Sequence, residues 1–472
     1  MPTYHVENFG CRATQADGAA LERQFESRGL ALAPSSQADL VILNTCTVTN
    51  SADQDARAAI RRVQRQNPLA KIIVTGCYAQ RAPTEIAALP GVTCVIGNSH
   101  KHQLADIALH NFAPQSPAFV PLTTLAGERP TTNDQRPLFV ADIFAHTELL
   151  AAPVFESASG PHSNDRTRPN LKVQDGCDNR CSFCVIPSVR GQSRSLPLPE
   201  IIREVNALVA VGYRELVISG INLGRWGRDL APDAESQTPR FEDLLGVILA
   251  KTQLEKLRVS SVEPMDWTDE LISLVASSPR IAKHAHVPLQ SGSDAVLRRM
   301  HRKYRPWHYR EKIERIHGAM PTAAIGADVM TGFPGETDAE FEATRRLIEE
   351  LPFTYLHVFT YSARPGTPAA TMQNQVPTHV ARARNKILRD LAAEKKLAFM
   401  RSFLGKMLEA ITLNLVHHHA DGEYTEALTD NYQKFFLKGR HAPNRWINAH
   451  VEHLSDGVLV GSTSSSSHGL SS

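Results

Sequence analysis

The sequence predicts an α/β multidomain protein: an N-terminal doubly wound α/β domain, an incomplete (βα)6 barrel and a small C-terminal β-barrel. Three observations predict it. In the N-terminal region, apolar strand-like runs alternate with segments whose apolar residues recur at helical spacing, the rhythm of a parallel sheet covered by helices. The same rhythm starts again at Leu171 and runs through six strand candidates. After Gly405 the helical period vanishes, and short β-prone runs separated by polar turns take over. With 472 residues, 42% of them hydrophobic, the chain is long enough for about two to four separately cored domains.

Within the first domain, expected over 1–110, Tyr4–Phe9, Leu40–Leu43 and Lys71–Thr75 read as strands, and Thr14–Arg28 and Ser51–Gln66 as helices. From 111 to 168 the period fades and prolines recur between Pro114 and Pro161, which reads as a partly ordered linker. The barrel is expected over 169–403. Its strand candidates are Leu171–Asp175, Glu215–Ser219, Leu257–Val262, Lys283–Val287, Ala323–Met330 and Thr354–Phe359, with helical patterns between them. Right-handed βα units of this kind carry ligand-binding loops at the C-terminal ends of their strands. One more helix, rich in Arg and Lys, is expected over Val380–Met400. Over 404–461 the runs Leu408–Leu413, Tyr424–Thr429 and Val458–Val460 predict the small barrel, and the serine-rich stretch 462–472 predicts a disordered tail.

A formal net charge of +2 leaves nucleic-acid binding to the distribution of charge rather than its total. Met1–Cys11 lacks the pattern of a secretory signal and no apolar run reaches about eighteen residues, so the expectation is a cytoplasmic protein with no membrane association. Basic residues crowd Arg298–Arg315 and the Val380–Arg401 helix, where they suit either RNA phosphates or solvated helix faces. Lys434, Phe435, Phe436, Lys438, Arg440 and Arg445 mix cations with aromatics, the footprint expected for single-stranded RNA. His417-His418-His419 reads as surface in a polar turn.

Seven cysteines are too few and too oddly numbered for a disulfide framework, so their spacing carries the information. Cys177, Cys181 and Cys184 follow the first barrel strand as C-x3-C-x2-C. Three thiolates on one tight loop hold three irons of a 4Fe-4S cluster and leave the fourth iron open, whereas a structural zinc site wants four ligands. Cys11, Cys46 and Cys77 each fall one to three residues past a predicted strand, about one βα unit apart. Parallel strands put such loops along one sheet edge, where three thiolates converge; the alternative is three buried cysteines acting as small hydrophobes. Cys94 lacks that position and reads as core.

The C-x3-C-x2-C loop resembles the radical S-adenosylmethionine superfamily. By that resemblance its cluster binds S-adenosylmethionine, and the backbone of Phe183 touches the adenine. The strand-end loops Ser219-Gly220-Ile221-Asn222, Ser260-Ser261-Val262-Glu263-Pro264 and Pro288-Leu289-Gln290-Ser291-Gly292-Ser293 then put Gly220, Asn222, Glu263 and Gln290 at the cofactor, and Thr331-Gly332-Phe333-Pro334-Gly335-Glu336-Thr337 resembles the turn after the fifth strand.

With both cysteine triplets present, and with Gly10-Cys11-Arg12, Asn44-Thr45-Cys46-Thr47-Val48-Thr49-Asn50 and Thr75-Gly76-Cys77-Tyr78-Ala79-Gln80, the chain from Tyr4 to about Gly461 resembles the methylthiotransferase family. The resemblance implies a second 4Fe-4S cluster on Cys11, Cys46 and Cys77, a TRAM-like C-terminal barrel that docks RNA, and methylthiolation of tRNA in its anticodon loop. It also implies an electron donor and a sulfur source. The wording around Cys46 and Cys77 is similar to the branch acting on N6-threonylcarbamoyladenosine; the alternatives are N6-isopentenyladenosine in tRNA, an aspartate of a ribosomal small-subunit protein, or a radical methylase or oxidoreductase with an extra cluster. Thr14, Leu196 and Ser188 depart from the family pattern. Arg12, Arg190 and Arg194 are candidates for contact with a substrate carboxylate.

Overall fold

The structure is a computed structural model that describes residues 1–112, 136–146, 149, 168–231, 238–419 and 422–463. Most of the 111–168 linker and nearly all of the serine-rich tail therefore lie outside the described residues. The chain divides into two compact units: Met1–Val154 with Gly176–Asp178 and Val185–Gln192, and the remainder.

In the first unit β1 (Thr3–Asn8), β2 (Ala31–Leu32), β3 (Leu40–Thr45), β4 (Lys71–Gly76), β5 (Val92–Gly97) and β6 (Leu138–Phe139) form a six-stranded sheet ordered β2-β1-β3-β4-β5-β6. All its pairings are parallel. Alternation along each buried strand feeds two apolar layers. Val41, Leu43, Ile72 and Val74 pack with Ala56, Ile60 and Val63 of the helix Asn50–Gln66. Ile42, Ile73 and Ile96 pack on the opposite face with Leu21 and Phe25 of the helix Arg12–Ser27. The expected doubly wound arrangement is present. β6 belongs to the stretch that reads as linker, and Cys94 is fully buried within β5.

The second unit contains β7 (Asn170–Asp175), β8 (Arg194–Ser195), β9 (Glu215–Gly220), β10 (Lys256–Val259), β11 (His284–His286), β12 (Ala324–Thr331) and β13 (Tyr355–Thr360). Sheets ordered β10-β9-β7-β8 and β11-β12-β13 are linked by bridges Leu257–Ile281 and Ser261–His286, so β7, β9, β10, β11, β12 and β13 follow one another in parallel. This is the expected six-strand open barrel. β8 is an addition, hooked antiparallel onto β7.

Then come β14 (Met407–His419), β15 (Gly422–Thr429), β16 (Lys434–Lys438), β17 (Trp446–Ser455) and β18 (Val458–Thr463), closed as β14-β15-β16-β18-β17 around Ala427, Phe435, Leu437, Val451 and Leu459. Within this unit Arg258 ties the small barrel to the large one. Its Nε donates to Glu215 Oε1 at 2.6 Å while its Nη1 and Nη2 donate to the carbonyls of Asp430 and Thr429 at 3.0 and 3.3 Å. The histidines 417–419 sit in the last part of β14 rather than in a turn, because a register shift between Thr412 and Val416 lets that strand bend and continue.

Candidate functional site

Cys11 lies just past β1, and Cys46 and Cys77 directly follow β3 and β4. These strands are adjacent and parallel, so the three thiols share the C-terminal edge of the sheet. Two glycines make the approach possible. A Cβ on Gly10, at φ +101°, would lie 2.5 Å from Cys46 Cβ and 2.9 Å from its Sγ. A Cβ on Gly76, at φ +98°, would lie 2.3 Å from the carbonyl oxygen of Thr45.

Cys46 and Cys77 are buried and Cys11 is exposed. Burial first, and then the neighbouring Cys77 and Cys11, push the Cys46 thiol up to about 12, against the opposing influence of the Val48 amide and Arg190. A buried thiol crowded by two neighbouring thiols suits a cationic iron–sulfur core, which takes such sulfurs as thiolates. Beside them Asn98 Nδ2 lies 3.6 Å from Cys77 Sγ and donates to the Val189 carbonyl at 2.7 Å. Lys101 Nζ and Arg190 Nη2 each reach Asp17 Oδ2 at 3.0 Å, and Lys101 also donates to Asn44 Oδ1 at 3.1 Å. All four of these last residues are buried. Hydrogen bonds and charge around sulfur ligands are the levers that set a cluster's potential. Of the three arginines expected to meet a substrate carboxylate, Arg190 is thus committed to Asp17, and Arg194 is buried at 4.0 Å from Asp175.

In the second unit Cys181 and Cys184 are half-exposed on the loop after β7; the Cys184 amide donates to the Cys181 carbonyl at 3.1 Å. Arg302 Nη1 donates to Cys181 Sγ at 3.3 Å while its Nη2 binds Glu263. Glu263, Arg302 and Cys181 line one small cavity with Tyr304 and Asn179. Glu263 is therefore held in an ion pair, and burial, only partly countered by Arg302, pushes its carboxyl above the usual range.

The half-buried Phe183 ring meets Phe333 edge-on at 6.4 Å. Gly220 packs against Gln174, whose Oε1 accepts from the Asn222 amide at 2.7 Å. Gln290 is held at φ +65° by hydrogen bonds across to Asp328 and Met330. Buried Ser219 Oγ and Gln290 Oε1 have no protein partner among the described residues, which fits strand ends that meet a polar ligand.

Residues 171–348 match the radical SAM superfamily, and residues 3–97 match an uncharacterized protein family designated UPF0004. The chain is 35% identical over 441 residues to the threonylcarbamoyladenosine tRNA methylthiotransferase MtaB of Bacillus subtilis (strain 168), covering 93% of this chain and 91% of that one. It is 31% identical to the protein of the same name from Thermotoga maritima, covering 98% and 96%. It belongs to the methylthiotransferase family of radical S-adenosylmethionine enzymes. A tRNA-2-methylthio-N(6)-dimethylallyladenosine synthase of Novosphingobium aromaticivorans is 34% identical, covering 87% of this chain and 86% of that one. In fold the methylthiotransferase is similar to the radical S-adenosylmethionine methyltransferase TsrM of Kitasatospora setae, with TM-score 0.55, 16% identity and coverage of 78% and 75%. As a member of this family it is a transferase that depends on S-adenosylmethionine and 4Fe-4S chemistry. No described helix is long and apolar enough to cross a membrane.

Several residues of this methylthiotransferase escape a reading of the sequence. Arg302 counts there as one more cation in a basic run, yet it is buried against Cys181 and Glu263. The rest of that run is largely paired with acids: Arg298 and Arg305 with Asp294, Arg299 with Glu340, Arg310 with Glu350, and Arg315 with Asp269. Solvated, ion-paired faces describe it better than an RNA track. Asp17, Asn98 and Lys101 carry no motif at all.

Proposed function

We propose that this methylthiotransferase places a methylthio group on C2 of N6-threonylcarbamoyladenosine at position 37, in the anticodon loop of tRNA, in the cytoplasm, using two S-adenosylmethionine and two 4Fe-4S clusters. The observation that carries the reading is the gathering of Cys11, Cys46 and Cys77 at one sheet edge, separate in sequence from the C-x3-C-x2-C loop. The relatives named for threonylcarbamoyladenosine support the choice of base.

Cys177, Cys181 and Cys184 would hold the cluster that binds S-adenosylmethionine, and Cys11, Cys46 and Cys77 the auxiliary one. When bound, these groups supply reductive cleavage of S-adenosylmethionine and the sulfur to be transferred, with an external electron donor and sulfur source. The chain's own part is positional. Arg302 steadies the Cys181 sulfur, and Glu263 holds Arg302 in place. Gln290, with Ser219, offers polar atoms to the cofactor at the strand ends, Gly220 and the Asn222 amide keep bare backbone close, and Phe183 brings its backbone to the adenine.

For RNA, β16 alternates inward Phe435 and Leu437 with outward Lys434, Phe436 and Lys438. The His417 and His419 rings lie 4.7 and 5.9 Å from that of Phe436, and Lys434 Nζ sits 5.0 Å from the Phe436 ring centroid. Aromatic faces flanked by cations suit an unpaired loop. The test is a competition between tRNA carrying N6-threonylcarbamoyladenosine and tRNA carrying N6-isopentenyladenosine, read by nucleoside mass spectrometry after anaerobic reconstitution. Preferential methylthiolation of the threonylcarbamoyl form is expected; preference for the isopentenyl form, or action on a ribosomal protein alone, overturns the assignment.

A further inference from the structure

The concave face of β11–β13 carries an unusual set of side chains. In register, His286 stands beside Gly326, Gly326 beside Tyr355, and Asp328 beside His357. The alternate residues Ala285, Ile325, Ala327 and Val329 are buried and apolar, as expected for the side that meets the helices, so His286, Asp328 and His357 share the inner side. In a closed eight-stranded parallel barrel the inner side is normally filled by branched aliphatic residues. Here His357 Nδ1 lies 3.2 Å from Asp328 Oδ1, and His286 Nε2 lies 3.3 Å from the same oxygen without hydrogen-bond alignment. The side chains are 59%, 24% and 10% exposed for His357, Asp328 and His286, so the trio opens through His357 and closes on His286. With Nδ1 committed to the carboxylate, His357 offers its other ring nitrogen to a ligand: an acceptor when neutral, a donor when protonated.

We infer that His286, Asp328 and His357 form the subsite for the N6 substituent of the target adenosine, recognising an acyclic polar group with N–H or hydroxyl donors. The inference rests on the threonylcarbamoyl reading above and gives it a physical basis. A threonylcarbamoyl group brings ureido N–H groups and a hydroxyl as donors, and carbonyls as acceptors, to the Asp328 carboxylate and the open His357 nitrogen. An isopentenyl group brings only hydrocarbon and, once seated, displaces water from these polar atoms without replacing its hydrogen bonds. Sites built to hydrogen-bond a substrate discriminate strongly against analogues lacking those bonds for this reason. Overall identity of 35% and 34% to relatives named for the two substituents is nearly equal, so the preference is to be sought in a local subsite.

The experiment uses the reconstituted holoenzyme and its His357→Phe, His357→Gln and Asp328→Asn variants, with anticodon stem-loops bearing either substituent. Iron content equal to wild type reports an intact fold. For His357→Phe and Asp328→Asn the threonylcarbamoyl kcat/KM should fall about 10- to 100-fold, mostly through KM, and the preference over the isopentenyl substrate should narrow by a similar factor. His357→Gln, which keeps a polar tip, should recover part of the loss. An unchanged preference in both His357→Phe and Asp328→Asn, given a wild type active on the threonylcarbamoyl form, overturns the subsite. So does a stoichiometric non-iron divalent metal found by elemental analysis in wild type and missing from Asp328→Asn, which would make the trio a metal centre. A wild type inactive on the threonylcarbamoyl form fails the substrate reading instead, and is visible before any variant is made.

Discussion

Asp17→Asn probes the buried charge network beside the cysteine edge of the first unit. Asp17 is 2% exposed, and its Oδ2 accepts from both Lys101 and Arg190 at 3.0 Å. Asparagine keeps the shape and an acceptor oxygen but removes the charge. Breaking a buried ion pair from one side costs about 3–5 kcal/mol, because the surviving charge is left in low dielectric. Arg190 keeps its charge, whereas Lys101 limits its own share of the cost because it escapes by losing its proton. From an unfolded pKa of about 10.4 down to pH 7, at about 1.36 kcal/mol per unit, that escape costs about 4.6 kcal/mol.

Burial, the largest influence, already pulls the Lys101 pKa down, and Asp17 opposes it. Without Asp17 the folded pKa drops further below the unfolded one, so the unfolded state binds more protons and the variant gains stability as pH rises between the two values. Hydrogen exchange of peptides spanning β1, β3 and β4, always relative to wild type at the same pH, reads this directly. Protection should be about two to three powers of ten lower at pH 7, with the deficit shrinking toward pH 10. A deficit under about tenfold, or one that widens with pH, refutes the charge argument.

Replacing Cys11, Cys46 and Cys77 together by Ala should lower iron from about eight to about four per chain while 5′-deoxyadenosine is still formed; loss of all iron would contradict separate sites. Phe436→Ala should weaken tRNA binding about 5- to 150-fold by filter binding or anisotropy, and undiminished affinity would move the RNA contact elsewhere. Arg258→Met should lower the melting temperature by about 6–20 °C, because Glu215, fully buried, would keep among the described residues only the more distant cation of Arg168 at 4.0 Å. A shift under about 2 °C would show that Arg258 adds nothing to joining the two barrels.

Strand existence was readable wherever apolar runs were long and bounded by turns, as in Lys71–Gly76 or Ala324–Thr331. It was not readable where tertiary pairing creates the strand. Ala31–Leu32, Leu138–Phe139 and Arg194–Ser195 are two-residue edges that exist only because a neighbouring strand offers its hydrogen bonds, and no local pattern announces them. Lys434–Lys438 sets three apolar residues between two cations; the sequence shows that mix of cations and aromatics, but only the folded strand shows that Phe435 and Leu437 fill the small barrel's core while Phe436 stays outward.

The candidate site divides along the same line. Cysteine positions were legible because a thiol one residue past a parallel strand has few places to go, and Cys46 and Cys77 follow β3 and β4 directly. Polar residues were not, because charge type says nothing about burial. Arg302 and Arg315 lie in one basic run, yet one is buried at a cysteine sulfur and the other is a surface pair with Asp269. His286, Asp328 and His357 come from three separate strands, spaced in sequence by intervening helices, so only the register of β11, β12 and β13 makes them neighbours. A parallel barrel brings distant residues together at matched depths, and substrate preference in this family of similar sequences is best sought at such depths rather than in the motifs the relatives share.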